Sequence, residues 1–294
     1  MITLRDRFFG CFFGAVVGDV LGMPYEFSSQ GTFTFDGTME AGGPFFLEAG
    51  QYTDDTSMMV AMAQSILSQN RIDAHNQAIH YLLWYQHGQY SSTGDCFDIG
   101  DQTRTALDFY DRTGRFMEES TRAGNGSLMR VAPAILFGLH QHRNVFEAGI
   151  RETCINTHNA QEAIEYTTRY STLVQRVLIE DGLVLDDIDA ILAGYDFGDS
   201  FRAGGYIVTS YYAALRSFRQ TDSFRDCMID IINLGGDTDT NACIAGMLAG
   251  AHYGLSGIQH SWLYNIQDYE YLYKLCEALW DRVRENSEST HHAE

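Results

Sequence analysis

The sequence predicts an all-α protein built as one compact helical domain, and three observations carry that reading. Only three prolines, Pro24, Pro44 and Pro133, occur in 294 residues, so the residue that most disrupts helices is absent over long stretches. Apolar residues recur at helical spacing through most of the chain. Glycines at 10, 14, 18 and 22 stand on one i, i+4 ridge, and Ala242, Gly246, Gly250 and Gly254 repeat the device. No Pro/Ser-rich linker divides the chain. Residues 1–284 therefore read as a single domain, and a polar tail over 285–294 is expected to fray.

The first helix is predicted over 4–21. A glycine costs about 1 kcal/mol per helix position relative to alanine, so a ridge of them implies close approach of another backbone. The helix predicted over 239–254 carries the matching ridge, and the two are expected to pack together at the centre. Between and after them, helical stripes cover 55–67, 74–84, 103–110, 128–139, 145–155, 160–183, 205–218, 223–232 and 269–283. Residues 28–52 are rich in Gly, Thr and Phe and lack a stripe, which marks a long loop of the kind that often serves function. Loops over 88–100 and 120–127 follow. All three loops precede helices, so all can open on one face.

The formal charge is -20, and Lys274 is the only lysine. Such a field repels phosphodiester backbones, which argues against a nucleic-acid partner. Six dispersed cysteines without a Cys-x-x-Cys pair fit reduced thiols and a cytosolic protein. The apolar stretch near the N-terminus carries Asp19 and no cleavage pattern, so neither a signal peptide nor a membrane span is expected.

Two acidic clusters are the chemical signal: Thr53-Asp54-Asp55-Thr56 and Gly236-Asp237-Thr238-Asp239-Thr240. Carboxylates and hydroxyls packed this densely suit hard divalent cations such as Mg²⁺, Mn²⁺ or Ca²⁺. The plainer reading is helix capping, because Asp and Thr satisfy the orphan N–H groups of a first turn. A cap needs one oxygen, whereas each cluster offers several, and the pattern occurs twice. The metal reading is the stronger.

Taken in order, Gly14 to Phe27, Tyr52 to Met58, Phe97-Asp98-Ile99-Gly100-Asp101, Gly124 to Arg130, Thr157-His158 and Gly235 to Asn241 resemble the motif series of the ADP-ribosylglycohydrolases. Within that family the chain is most similar to the bacterial dinitrogenase reductase-activating type. The resemblance implies a compact all-α domain with two divalent ions, Mg²⁺ or Mn²⁺, at the base of an ADP-ribose cleft. It implies Thr53, Asp54, Asp55, Asp237, Asp239 and Thr240 as metal ligands, and Glu26 at the edge of the metal site. It assigns Asp101 to an aspartate needed for activity, Gly124, Asn125, Gly126 and Ser127 to the loop along the phosphates and ribose, and His158 to a position beside the diphosphate. The implied partner is an ADP-ribosylated protein, with ADP-ribosyl-arginine as the bond cleaved.

Cleavage of an N-glycosidic bond passes through an oxocarbenium-like state. Divalent ions can lower the pKa of a water and fix ribose hydroxyls, leaving proton transfer to a carboxylate. Asp101 or Glu26 is expected in that role, while Asp98 reads as a helix cap. Alone, Gly124-Asn125-Gly126 would be a turn and His158 a structural histidine. Sequence does not single out an aromatic for adenine; Tyr211, Tyr212, Tyr269, Tyr271 and Tyr273 are candidates. Other readings are a non-catalytic ADP-ribose binder and a hydrolase of ADP-ribosyl-serine or another conjugate. A helical metal-dependent phosphohydrolase would carry a His-Asp pair, and no such dipeptide occurs.

Overall fold

The computed structural model describes residues 2–180, 184–198 and 201–291, among which lie fourteen α-helices and no β-strand. Helix α1 (Leu4–Gly22) starts at Thr3, whose hydroxyl accepts the Asp6 N–H at 3.1 Å. Helices α2 (Asp54–Gln69) and α3 (Ala74–His87) form a hairpin, with Asn70 in the left-handed region ending one and Asp73 capping the next. Helix α4 (Asp101–Thr113) stops at Gly114, also left-handed.

The single helix predicted over 128–139 is two short ones, α5 (Gly126–Met129) and α6 (Ala132–Phe137). Pro133 explains the break: it has no N–H to donate and its ring crowds the carbonyl one turn earlier, so it starts a helix instead of continuing one. Then come α7 (Arg143–Ile155) and α8 (Gln161–Ile179). Helix α8 ends earlier than predicted, at an extended Glu180, and residues 181–183 lie outside the described residues. Helices α9 (Val184–Ala193) and α13 (His260–Asn265) were not expected, being too short to show a clear helical period. The others are α10 (Ile207–Arg219), α11 (Phe224–Ile232), α12 (Thr238–Tyr253) and α14 (Tyr269–His291). Helix α14 passes through the segment expected to fray and runs to His291.

The centre is the antiparallel pair α1 and α12. Gly10 faces Gly250, Gly14 faces Gly246, Gly18 faces Ala242 and Gly22 faces Thr238; a Cβ added at any of these four glycines would collide with the facing carbonyl oxygen. The backbones touch directly, as the ridges predict. Residues Phe8 to Gly22 are all buried, so α1 is enclosed on every side, with Asp19 the one charged side chain in that stretch. By length and hydropathy alone Leu4–Tyr25 could cross a membrane, but 89% of its apolar window is buried inside the fold, as befits a core helix. Helices α2, α6 and α14 cover α1, and α8, α10 and α11 cover α12. The six cysteines are all free.

Antiparallel packing sets the position of the functional loops. The start of α12, with Asp237 and Asp239, lies against the end of α1, where Met23-Pro24-Tyr25 forms a 3-10 turn into Glu26. The loop after Glu26 is tied to α12 by Phe27 N–H to the Gly236 carbonyl at 2.7 Å and Gly236 N–H to the Ser28 carbonyl at 2.8 Å. Gly235 and Gly236 have positive φ and no room for a side chain against Ser28 and Ala203. Further on, Asn233 pairs with the Phe35 backbone in both directions at 2.9 Å, and Trp262 donates to the Gly37 carbonyl at 2.9 Å.

Candidate active site

Carboxylates from four segments converge beside the α1/α12 junction. Glu26, Asp98 and Asp239 each bring an oxygen within 4.8 Å of the others. The two acidic clusters meet, since the Thr240 hydroxyl donates to Asp55 Oδ2 at 3.2 Å. Asp19, on α1, accepts the Thr53 N–H at 3.0 Å, the Thr53 hydroxyl at 2.9 Å and the Thr56 N–H at 3.0 Å. The start of α2 is thus capped from outside by Asp19. Thr53 does not cap its own helix, and Asp54 and Asp55 are free for other work.

Burial makes this cluster costly in its ionised form. It pushes Asp19 up to about 6, Asp98 to about 8 and Glu26 to about 9, and the neighbouring carboxylates add to the rise in Asp98 and Glu26. Asp54, Asp55 and Asp239 are raised well above the ordinary range by burial first, then chiefly by Asp98, Asp19 and Glu26 respectively. Among the described residues no Arg or Lys pairs with any of them. Glu26 Oε2 and Asp55 Oδ1 are buried without a hydrogen-bond partner. Unpartnered oxygens in a nest of acids are what a hard cation would satisfy. The donor set fits metal binding.

Above the cluster opens a cavity of about 310 Å³ whose wall joins the carboxylates Glu26, Asp54, Asp98, Asp101 and Asp237 to Arg122, Gly124, Gly126 and His158. The Asn125 side-chain amide holds its loop to the acidic cluster, donating to Asp237 Oδ2 at 2.8 Å and to Ser210 Oγ at 3.0 Å. Gly126 has no space for a Cβ, which would lie 2.6 Å from the His158 ring, so the loop backbone and imidazole are in contact. His158 Nδ1 meets the Thr157 hydroxyl at 2.8 Å, and that hydroxyl accepts from the fully buried Arg130 at 2.5 Å. Burial and the charges of Arg130 and Arg122 hold His158 well below the usual histidine range. The neutral ring is therefore favoured at pH 7, and the Thr157 hydroxyl partners its Nδ1. A larger cavity of about 650 Å³ lies between α8, α9 and α10. There Arg143, Arg169 and Arg176 are already paired with Glu147, Glu165, Glu180 and Asp187.

Three expectations change. Asp101 lines the outer wall but its side chain is 82% exposed, with Arg104 at 3.5 Å, and it stands apart from the carboxylate cluster. Asp98 is no cap: Gly100 holds the N-cap position of α4, and Asp98, in the left-handed region at φ +57, joins Glu26 and Asp239. Ser127 is fully buried and pairs with Thr167 at 2.9 Å, because the second position of α5 faces α8 and not the cavity.

Sequence reasoning also passed over Asp19, Arg122 and Tyr206. Asp19 had a signal, a lone carboxylate in an otherwise apolar helix. Tyr206 is 45% exposed and bridges Gly124 through the backbone, with Asn125 N–H to the Gly205 carbonyl and Ile207 N–H to the Ala123 carbonyl, both 3.0 Å. Tyr211 and Tyr212, named as candidates for adenine, are buried.

An all-helical fold with a metal-type carboxylate nest beneath a glycine-lined cleft defines a class of hydrolase site, and comparison with known proteins gives its family. The model of the ADP-ribosylglycohydrolase family matches residues 1–289. The chain is 33% identical to the ADP-ribosylarginine hydrolase Tri1 of Pseudomonas putida (strain GB-1), over 95% of this chain and 79% of that protein. It is 29% identical to the ADP-ribosyl-[dinitrogen reductase] glycohydrolase of Rhodospirillum rubrum, over 89% of this chain and 90% of that one. A solved ADP-ribosylglycohydrolase-related protein complex superposes with a TM-score of 0.84 at 32% identity, covering 95% of this chain and 99% of that one. The chain belongs to the ADP-ribosylglycohydrolase family.

Proposed function

We propose that the protein hydrolyses the N-glycosidic bond of ADP-ribosyl-arginine on modified proteins, using two Mg²⁺ or Mn²⁺ ions. The observation that carries this is one cavity whose wall brings the carboxylates Glu26, Asp98 and Asp237 together with the Gly124-Asn125-Gly126 loop, His158 and Arg122. ADP-ribose carries a group for each, a ribose diol for cations held by the carboxylates and a diphosphate for the loop and its neighbours. The choice of arginine is supported by the name of the Pseudomonas putida relative and of a second Tri1 protein, from Serratia proteamaculans (strain 568), at 31% identity over 94% of this chain.

In this reading Thr53, Asp54, Asp55, Asp237, Asp239 and Thr240 hold the ions, which when bound would acidify a water and fix the ribose hydroxyls. The Thr53 hydroxyl donates to Asp19, which directs its lone pairs away from Asp19 and raises its value as a ligand. Asn125 fixes the rotamer of Asp237. His158 stands beside the diphosphate, where its neutral Nε2–H tautomer would donate to a phosphate oxygen, and the Gly126 backbone lies against its ring. Arg122 at the rim offsets part of the diphosphate charge, and the exposed Tyr206 ring provides a face for the adenine.

Proton transfer to the departing guanidine nitrogen falls to Asp98, with Glu26 beside it, in place of Asp101. Both line the cavity and stand in the carboxylate cluster, whereas the Asp101 side chain is 82% exposed. The deciding experiment is release of ADP-ribose from ADP-ribosyl-arginine and ADP-ribosyl-serine peptides with Mg²⁺ or Mn²⁺, with and without EDTA. EDTA-sensitive release from the arginine peptide is expected. Tight ADP-ribose binding without release from either peptide would make the protein a binder only.

A further inference from the structure

The turn over residues 42–47 packs on Met23-Pro24 and Phe97, the neighbours of the cavity-lining Glu26 and Asp98, and presents an exposed phenylalanine. Gly42 and Leu47 bridge through two backbone hydrogen bonds, 2.8 and 2.9 Å, and the Phe46 N–H reaches the Gly43 carbonyl at 3.3 Å. Leu47 is buried, so the turn is anchored from within. Its inner side rests on both segments that carry the candidate proton-transfer groups. A Cβ at Gly43 would lie 2.6 Å from the Met23 carbonyl oxygen and 3.2 Å from Pro24 Cα, on the approach to Glu26. Phe45 packs on Phe97, next to Asp98, with ring centroids 5.4 Å apart.

At the tip, Phe46 is 90% exposed and sits at φ +56. The backbone conformation is the costly feature, because glycine or asparagine would occupy this left-handed position with less strain. The ring is held outward by a rigid, hydrogen-bonded turn, and it lies outside the cavity where ADP-ribose would sit. Residues 28–52 contain Asp36, Glu40 and Glu48 and no Arg or Lys, and the whole chain carries a net charge of -20, so the segment that bears the ring is acidic, with Arg225 meeting it at the Asp36 carbonyl.

We propose that Phe46 is the docking anchor for the folded protein that carries the modified side chain, entering an apolar recess bordered by basic residues on that protein. The proposal rests on the hydrolase reading above, because a modified protein has to approach the cavity to be cleaved. Charge complementarity selects the partner's basic border, and the rigid aromatic supplies the contact, as buried aromatic anchors do at protein interfaces. A small conjugate reaches the cavity without touching the ring.

The test compares wild type with Phe46→Asn, which suits a left-handed backbone, and with Phe46→Trp, which keeps an aromatic. Substrates are free ADP-ribosyl-arginine and a bacterial soluble extract labelled by an arginine-specific ADP-ribosyltransferase, with label loss followed on each resolved protein. We expect Phe46→Asn to slow release from at least one labelled protein by about tenfold, through KM, the size usual for loss of an aromatic anchor. Turnover of free ADP-ribosyl-arginine and the Tm stay at wild-type values, and Phe46→Trp restores the protein reaction. Equal release by Phe46→Asn and wild type from every labelled protein overturns the proposal, as does a parallel loss on the free conjugate. A wild type inert on both substrates overturns the hydrolase reading itself.

Discussion

The carboxylate of Asp19 accepts the backbone N–H and the hydroxyl of Thr53, 34 positions along the chain, and so ties the central helix α1 to the start of α2. It also takes the Thr56 N–H, so one buried acid satisfies the orphan donors of a helix whose own first turn is occupied by Asp54 and Asp55. Asp19→Asn keeps the shape, but its amide carries one acceptor oxygen and places an NH₂ against donors. A loss of about 2–3 kcal/mol is expected in urea unfolding, the cost of leaving buried donors unmet. A midpoint equal to wild type would remove Asp19 from this role.

Asp98 and Asp101 are separated by a single turn of chain yet have opposite environments. With metal loading verified, Asp98→Asn should lower kcat on ADP-ribosyl-arginine by about 10²-fold or more, the weight of a general acid or base. Asp101→Asn should stay within about threefold, since it removes an exposed partner of Arg104. The reverse ranking in steady-state kinetics would return Asp101 to the chemistry.

The carboxylate cluster makes the metal-free protein sensitive to pH. Burial raises Asp19 to about 6, Asp98 to about 8 and Glu26 to about 9 in the folded state, above their unfolded values. Below an unfolded carboxyl pKa of about 4 both states are protonated and these groups carry no penalty. As pH rises from there through the folded values, the unfolded chain releases protons that the fold retains, so stability falls. EDTA-treated protein should therefore melt at lower temperature at pH 8.5 than at pH 5.5, and saturating Mn²⁺ should restore the loss at pH 8.5. Coincident melting curves for the EDTA-treated protein at the two pH values would contradict this.

Gly18 tests the central packing, since an added methyl would collide with the carbonyl group of Ala242 and with the peptide nitrogen of Cys243. Gly18→Ala gains helix propensity but forces the α1 and α12 backbones apart, and a net loss of about 3 kcal/mol is expected. A variant at a glycine with open space outside the helices, Gly204→Ala, serves as the control and should leave the urea midpoint nearly unchanged.

Periodic and local features could be read directly along the chain. The ridge of Gly10, Gly14, Gly18 and Gly22 and its counterpart on α12 announced their own contact, because four residues without side chains on one helical face permit only a close backbone neighbour. The acidic clusters announced a cation, because that density of carboxylates is unfavourable without one. Tertiary structure decided which of two nearby acids joins the cluster. Asp98 and Asp101 have similar local context, and the left-handed turn at Asp98 sends one carboxylate inward while α4 carries the other to solvent. It decided also that Ser127 turns to Thr167 and that Asp19, not Thr53, caps α2. Those outcomes depend on partners 34 to 40 positions away, which spacing along the chain does not encode.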